Sequence, residues 1–200
     1  GIEEDEPEVL PRNTILNSKQ VMSLKTDKLN FTGKWLNFIG NPSKGFTAMI
    51  FGKPKYGKSY LALDFAGYLA RNHGKVLYVA REEGFDDTLR QKLKDKDVAH
   101  DNLFVSDYLP NNLNKYDFVF LDSVNKLSLS PEDLEKLERK NPETSFIYVF
   151  QVTKEGKVRG ASENEHNVDI VIEVPQRGQA TQFGRYHQRS EMKIFEDRKS

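Results

Sequence analysis

The chain contains no cysteine and only four histidines. That excludes disulfide staples and leaves no Cys/His set from which a zinc site is usually built. Thirty basic residues balance thirty acidic ones, for a formal net charge of zero, so no global field draws the molecule toward nucleic acid or a membrane surface. Any such contact must come from a local loop. No apolar run approaches the roughly 20 residues that span a bilayer, and no signal peptide is visible. The lack of cysteine fits a cytoplasmic setting. Gly1 stands where an initiator methionine would, which leads us to expect a piece of a larger parent protein. A length of 200 residues suits one α/β domain with a real core.

Residues 1–13 are acidic, with prolines at Pro7 and Pro11, and are expected to form a flexible leader. Residues 14–200 are expected to form a single domain. In the stretch Thr14–Gly45, Trp35, Phe38 and Ile39 are expected to pack on the core. Short apolar runs then alternate with helical patterns. Strands are expected at Phe46–Phe51, Val76–Ala80, Leu103–Ser106, Phe118–Leu121, Phe146–Phe150 and Val168–Val174. Helices are expected at Lys58–Asn72, about Asp86–Lys94, and Pro131–Arg139, the last with Ser130 as N-cap and Pro131 at the first helical position. Strands separated by helices imply a mostly parallel sheet covered on both faces. The weaker alternation over Gln179–Phe195 predicts an antiparallel hairpin at the sheet edge.

Residues Gly52-Lys53-Pro54-Lys55-Tyr56-Gly57-Lys58-Ser59 match the phosphate-loop pattern G-x-x-x-x-G-K-[ST]. An apolar strand run precedes them and a helical run from Tyr60 comes next, which is the context the mechanism requires. Backbone N–H groups of the loop and helix start offer partial positive charge to a polyphosphate. Lys58 would reach the β- and γ-phosphates, and the Ser59 hydroxyl would ligate Mg²⁺. Gly52 through Tyr60 are therefore the expected nucleotide-binding residues. Three further elements accompany the loop. The strand Phe118–Leu121 ends in Asp122, placed to support the metal. Val76-Leu-Tyr-Val-Ala-Arg is followed by Glu82 and Glu83, one of which can orient the attacking water; Glu82 is the favoured one. The run Phe146–Phe150 ends in Gln151, a candidate γ-phosphate sensor, and leads into a basic loop with Lys154, Lys157 and Arg159. That loop could meet a DNA backbone or a neighbouring subunit's nucleotide. His166 lacks metal-binding partners in the sequence and is read as a structural hydrogen-bonding residue.

The order of these elements resembles the RecA superfamily of ATPases, and in particular its RadA-type core. Thr32-Gly33 through Gly45-Phe46 resembles the lead-in to the RadA-type phosphate loop. Leu77-Tyr-Val-Ala-Arg-Glu82-Glu83 looks like the segment carrying the catalytic glutamate. Leu121-Asp122-Ser123-Val124 is similar to the family's metal-site strand. Val152-Thr-Lys-Glu-Gly156 through Glu165-His166-Asn-Val-Asp169 is the most discriminating piece. The similarity spans about residues 30–175. It implies a three-layer RecA-like core, ATP with Mg²⁺ as cofactor, and hydrolysis at interfaces of a homo-oligomeric ring or filament. It also implies single-stranded DNA as partner, with a role in recombination, repair or replication. The choice of ATP comes from this resemblance. A guanine-reading N-K-x-D motif is missing, because Asn125-Lys126-Leu127-Ser128 lacks the closing aspartate. The family's four-cysteine zinc module is not present, and Tyr60 stands where a small residue often follows the loop. Arg185-Tyr-His-Gln-Arg189 does not match the family's interface motif. An alternative of a different class is a nucleotide-gated binding module with little intrinsic hydrolysis, of the helicase-loader or mobile-element replication type. A kinase on the same loop would need an arginine-rich lid that the sequence does not offer.

Overall fold

A computed structural model describes residues 13–81, 84–152 and 167–195. Six helices and eight strands are described: α1 (Ser18–Ser23), α2 (Gly33–Ile39), β1 (Thr47–Gly52), α3 (Lys58–Asn72), β2 (Val76–Ala80), α4 (Asp87–Asp95) and β3 (Leu103–Ser106). They continue with β4 (Phe118–Asp122), α5 (Val124–Leu127), α6 (Pro131–Lys140), β5 (Ser145–Gln151), β6 (Ile170–Gln176), β7 (Gln179–Gln182) and β8 (Ser190–Lys193). The strands form one sheet in the order β3-β2-β4-β5-β1-β6-β7-β8. Pairing is parallel from β3 through β6. It turns antiparallel from β6 to β7 and from β7 to β8. This is a RecA-like α/β fold with an antiparallel edge.

Successive strand residues face opposite sides of a sheet, and the core divides accordingly. One face carries Ala48, Ile50, Tyr78, Phe118, Phe120, Ile147 and Val149, packed with Leu61, Phe65 and Leu69 of α3 and with Trp35, Phe38 and Ile39 of α2. The other face carries Met49, Leu77, Val79, Val119, Leu121, Phe146 and Tyr148, packed with Leu134 of α6. Both faces of the inner parallel strands β1, β2, β4 and β5 are almost wholly buried, which is why those strands read as continuous apolar runs. The expected packing of Trp35, Phe38 and Ile39 holds: all three are buried, and the Trp35 ring stacks on Phe65 at 4.7 Å between centroids. Helix α6 begins with a capping box in which Ser130 and Asp133 bond each other's backbone N–H, with Pro131 at the first position.

Some boundaries differ from those expected. β6 starts at Ile170, not Val168, because Asp169 is used as an anchor: its carboxylate accepts from the Thr47 backbone N–H at 3.0 Å and pairs with Arg185 at 3.2 Å. Helix α4 starts one residue later than expected because Asp86 is its N-cap, accepting from the Leu89 N–H. The acidic leader up to residue 12, His166 and the basic loop lie outside the described residues.

Candidate phosphate-loop site at the strand ends

The register brings the candidate residues to one edge of the sheet. Gly52, the last residue of β1, pairs with Gln151, the last of β5. Asp122, the last of β4, pairs with Val149 of β5 and with Ala80 of β2. Strand parity then decides the face. Asp122 follows Phe118 and Phe120 at even steps, and Gln151 follows Ile147 and Val149, so both sit on the side covered by α3. Helix α3 starts at Lys58, directly after the loop.

Within the loop, Lys55 and Gly57 have positive φ, 66° and 113°. Such backbone forms anion-binding concavities. At Gly57 a side chain is excluded twice over: the φ disfavours it, and a Cβ would lie 2.9 Å from Cε1 of Phe195. Lys58 is only 6 % exposed, and its Nζ donates to the Lys53 carbonyl at 3.3 Å and to Gln151 Oε1 at 3.5 Å. The Ser59 hydroxyl donates to Asp122 Oδ2 at 2.9 Å. The same oxygen accepts from the Tyr78 hydroxyl at 2.5 Å. Asp122 is 4 % exposed. Burial pushes its carboxyl above the ordinary range, and the bonds from Tyr78 and Ser59 and the charges of Lys92 and Lys58 pull it partly back. Burial first, and then the charge of Asp122, raise the Tyr78 hydroxyl, so that it stays a donor.

A cleft of about 480 Å³ opens over the loop, lined by Pro54, Lys55, Gly57–Tyr60, Gln151 and residues of α4 and the C-terminal edge. Gly52, Lys53 and Tyr56 do not line it. They act through backbone: the Gly52 carbonyl accepts from Val152 N–H, and the Tyr56 carbonyl accepts from Gly178 N–H at 2.9 Å. Glu82, Lys154, Lys157 and Arg159 lie outside the described residues. Sequence reasoning missed several neighbours. Tyr78 reads as a core aromatic, which it is, yet its hydroxyl holds Asp122. Asn125 entered only as part of a failed guanine motif, but its Oδ1 accepts from the Gln151 backbone N–H at 2.8 Å and fixes the end of β5. Lys92, Arg177 and Phe195 reach the cleft from elements far apart in sequence, with no local pattern to mark them.

A family profile described as an AAA domain matches residues 44–145, just over half of the chain and the whole stretch from the phosphate loop to β5. The chain belongs to the AAA domain family. Relatives of this AAA domain include the DNA repair protein RadA of Helicobacter pylori (strain 26695), 28% identical, and that of Listeria monocytogenes, 31% identical. Each match covers 66% of this chain but only 34% of the relative, so the chain spans about a third of the length of the curated relatives it matches. The solved structure of flagellar accessory protein FlaH from Methanocaldococcus jannaschii superposes with a TM-score of 0.61 at 13% identity, covering 84% of this chain and 95% of that one. That likeness shows the fold. Family and fold together make this a P-loop domain with a RecA-like core, related in sequence to RadA. Among the described residues no helix is long and apolar enough to cross a membrane.

Proposed function

We propose that the chain binds a nucleoside triphosphate with Mg²⁺ and hydrolyses it as part of an oligomeric, DNA-associated machine in recombination, repair or replication. One observation carries the reading: the Lys58–Gln151 contact and the half-buried Ser59–Asp122 hydrogen bond stand side by side at the ends of β1, β4 and β5. A hydroxyl beside a carboxylate is the hard oxygen donor set that suits Mg²⁺. Ser59 would ligate the ion and Asp122 would hold its coordinating water. The chemistry such an ion would supply there is electrostatic, an offset to charge developing on the phosphates. Lys58 leaves Gln151 to meet the β- and γ-phosphates. Water adds to the γ-phosphorus as the bond to the β,γ-bridging oxygen breaks, releasing nucleoside diphosphate and phosphate. Glu82, two residues past the end of β2, would take the water's proton.

Gln151 couples the site to the chain beyond β5. Its side chain meets Lys58 while its backbone is pinned by Asn125. A γ-phosphate that draws Lys58 away frees the amide at the root of the basic loop with Lys154, Lys157 and Arg159. The DNA repair role named for the RadA relatives supports DNA as the partner of that loop. Hydrolysis measured at low salt, with and without single-stranded DNA over a range of protein concentrations, tests this. Turnover should rise with both and vanish in Lys58→Ala. Turnover indifferent to DNA would remove the DNA assignment, and tight binding without turnover would leave a nucleotide-gated module.

A further inference from the structure

The cleft over the phosphate loop is lined on its remaining sides by Tyr60, Thr88, Lys92, Arg177 and Phe195. Four of these form a continuous series. The Lys92 ammonium lies 5.5 Å above the Tyr60 ring. The Tyr60 and Phe195 rings meet edge to face at 5.7 Å. The Arg177 guanidinium stands 5.4 Å from the centre of the Phe195 ring. Two rings, each with a cation on its face, thus border the loop that is read as holding the phosphates.

These groups are held in place. The Tyr60 hydroxyl donates to Asp95 at 3.2 Å. Ile194, next to Phe195, is tied by its N–H to the Gly178 carbonyl at 2.8 Å and by its carbonyl to the Lys96 ammonium. Gly178 in turn bonds the Tyr56 carbonyl of the loop itself. The edge hairpin and the chain after β8 are therefore fastened to the phosphate loop, and Phe195 sits against Gly57.

We infer that Tyr60, Phe195 and Arg177 form a nucleobase wall that takes purines by their faces and does not exclude guanine. This rests on the nucleotide reading proposed for the cleft. An aromatic face and a guanidinium recognise any π-face, and the larger purine gains more than a pyrimidine. Discrimination between adenine and guanine needs edge readers. Guanine selection calls for a carboxylate toward N1 and N2, and adenine selection for an acceptor toward N6. Among the described residues, those lining the cleft include no carboxylate, and their one amide, Gln151, stands at the phosphate end beside Lys58. What they do include is donors, Lys55, Lys92 and Arg177. A donor fork suits guanine O6 and N7 at least as well as adenine N7.

The test is equilibrium binding of ATP, GTP, CTP and inorganic tripolyphosphate, each with Mg²⁺, to the full 200-residue chain. Wild type, Lys58→Ala, Phe195→Ala, Phe195→Leu and Arg177→Ala are compared. ATP and GTP should bind within tenfold of one another, a difference of at most about 1.4 kcal/mol, with CTP weaker than both. Phe195→Ala and Phe195→Leu should each weaken ATP and GTP by about tenfold, the weight of one base–ring stack. Tripolyphosphate, which has no base, should bind both Phe195 variants as it binds wild type, and should be lost only in Lys58→Ala. The leucine variant keeps an apolar side chain against Gly57, so a packing defect in the alanine variant is told apart from a lost stack. A preference for ATP over GTP beyond tenfold overturns the inference. So does an equal loss of tripolyphosphate and ATP in Phe195→Leu, which would make Phe195 a prop for the loop. If wild type binds tripolyphosphate and Lys58→Ala does not, the phosphate site stands whatever the wall does. If wild type binds none of the four, the nucleotide reading falls and the wall with it.

Discussion

Replacing Asp122 by asparagine should stabilise the nucleotide-free protein while removing its response to Mg²⁺. Asp122 is 4 % exposed, and both of its bonds come from neutral hydroxyls, those of Tyr78 and Ser59. Taking a carboxylate out of water costs several kcal/mol even after relaxation. The two charge-assisted bonds return about 1.5–3 kcal/mol each. Asparagine keeps one oxygen to accept both hydroxyls as ordinary bonds and removes the charge. The difference favours the variant by about 2 kcal/mol, which for a domain of this size raises Tm by about 4–8 °C. The pH dependence has the same sign. A carboxyl whose folded pKa lies above its unfolded value binds protons more readily when folded, so its burden is full at neutral pH and is relieved as pH falls through the folded pKa. The gain from Asp122→Asn should therefore shrink as pH is lowered from 7 toward 4. Calorimetric melting of both proteins across that range, with and without Mg²⁺ and ATP, reads all of this. A variant that melts lower than wild type at pH 7 without ligand would refute the reasoning, because the charge would then be a net stabiliser. A variant whose Tm still responds to Mg²⁺ in the presence of ATP would remove Asp122 from the metal site.

Four further substitutions test the fold that carries the site. Trp35→Ala deletes a buried ring stacked on Phe65 and should cost about 3–5 kcal/mol in urea denaturation; a loss below about 1 kcal/mol would show that α2 is not part of the core. Gly67→Ala on α3 gains about 1 kcal/mol of helix propensity, but its Cβ would sit 2.4 Å from Val98 Cγ1, and overpacking at about 1–3 kcal/mol should win, lowering Tm. Ser130→Ala removes the Ser130 half of the capping box on α6 and should cost about 1 kcal/mol. That box also shapes the acid limb, since the Ser130 backbone bond and hydroxyl hold the Asp133 carboxyl below its usual range. Its contribution is present above the unfolded carboxylate pKa and is lost as pH falls through the lower folded value, so Asp133→Asn should flatten the pH dependence there.

Much of the scaffold is legible in the sequence because the inner parallel strands are buried on both faces. Val76–Ala80, Leu103–Ser106 and the helix Lys58–Asn72 have the bounds their apolar patterns predict. Helix α2 escapes that reading: it spans two turns, opens on a glycine at positive φ and has no side-chain cap. α5 is a four-residue turn after Asp122-Ser123, too short to show a period. In the site, Lys58, Ser59, Asp122 and Gln151 are visible because each ends a strand or follows the glycine loop. Tyr78, Asn125 and Phe195 are not, because their contribution depends on register and on the closing of the edge hairpin. Alternation along β2 cannot say that a core tyrosine will put its hydroxyl on a carboxylate at the end of the neighbouring strand. Only the pairing of Ala80 with Asp122 does that.

The most direct test of the central assignment is calorimetric binding of ATP to wild type and to Lys58→Ala, each with and without Mg²⁺. Wild type should bind, more tightly with Mg²⁺, and Lys58→Ala should lose binding in both conditions while melting as a folded protein. Equal affinity in the folded Lys58→Ala variant would contradict a phosphate site at the ends of β1, β4 and β5.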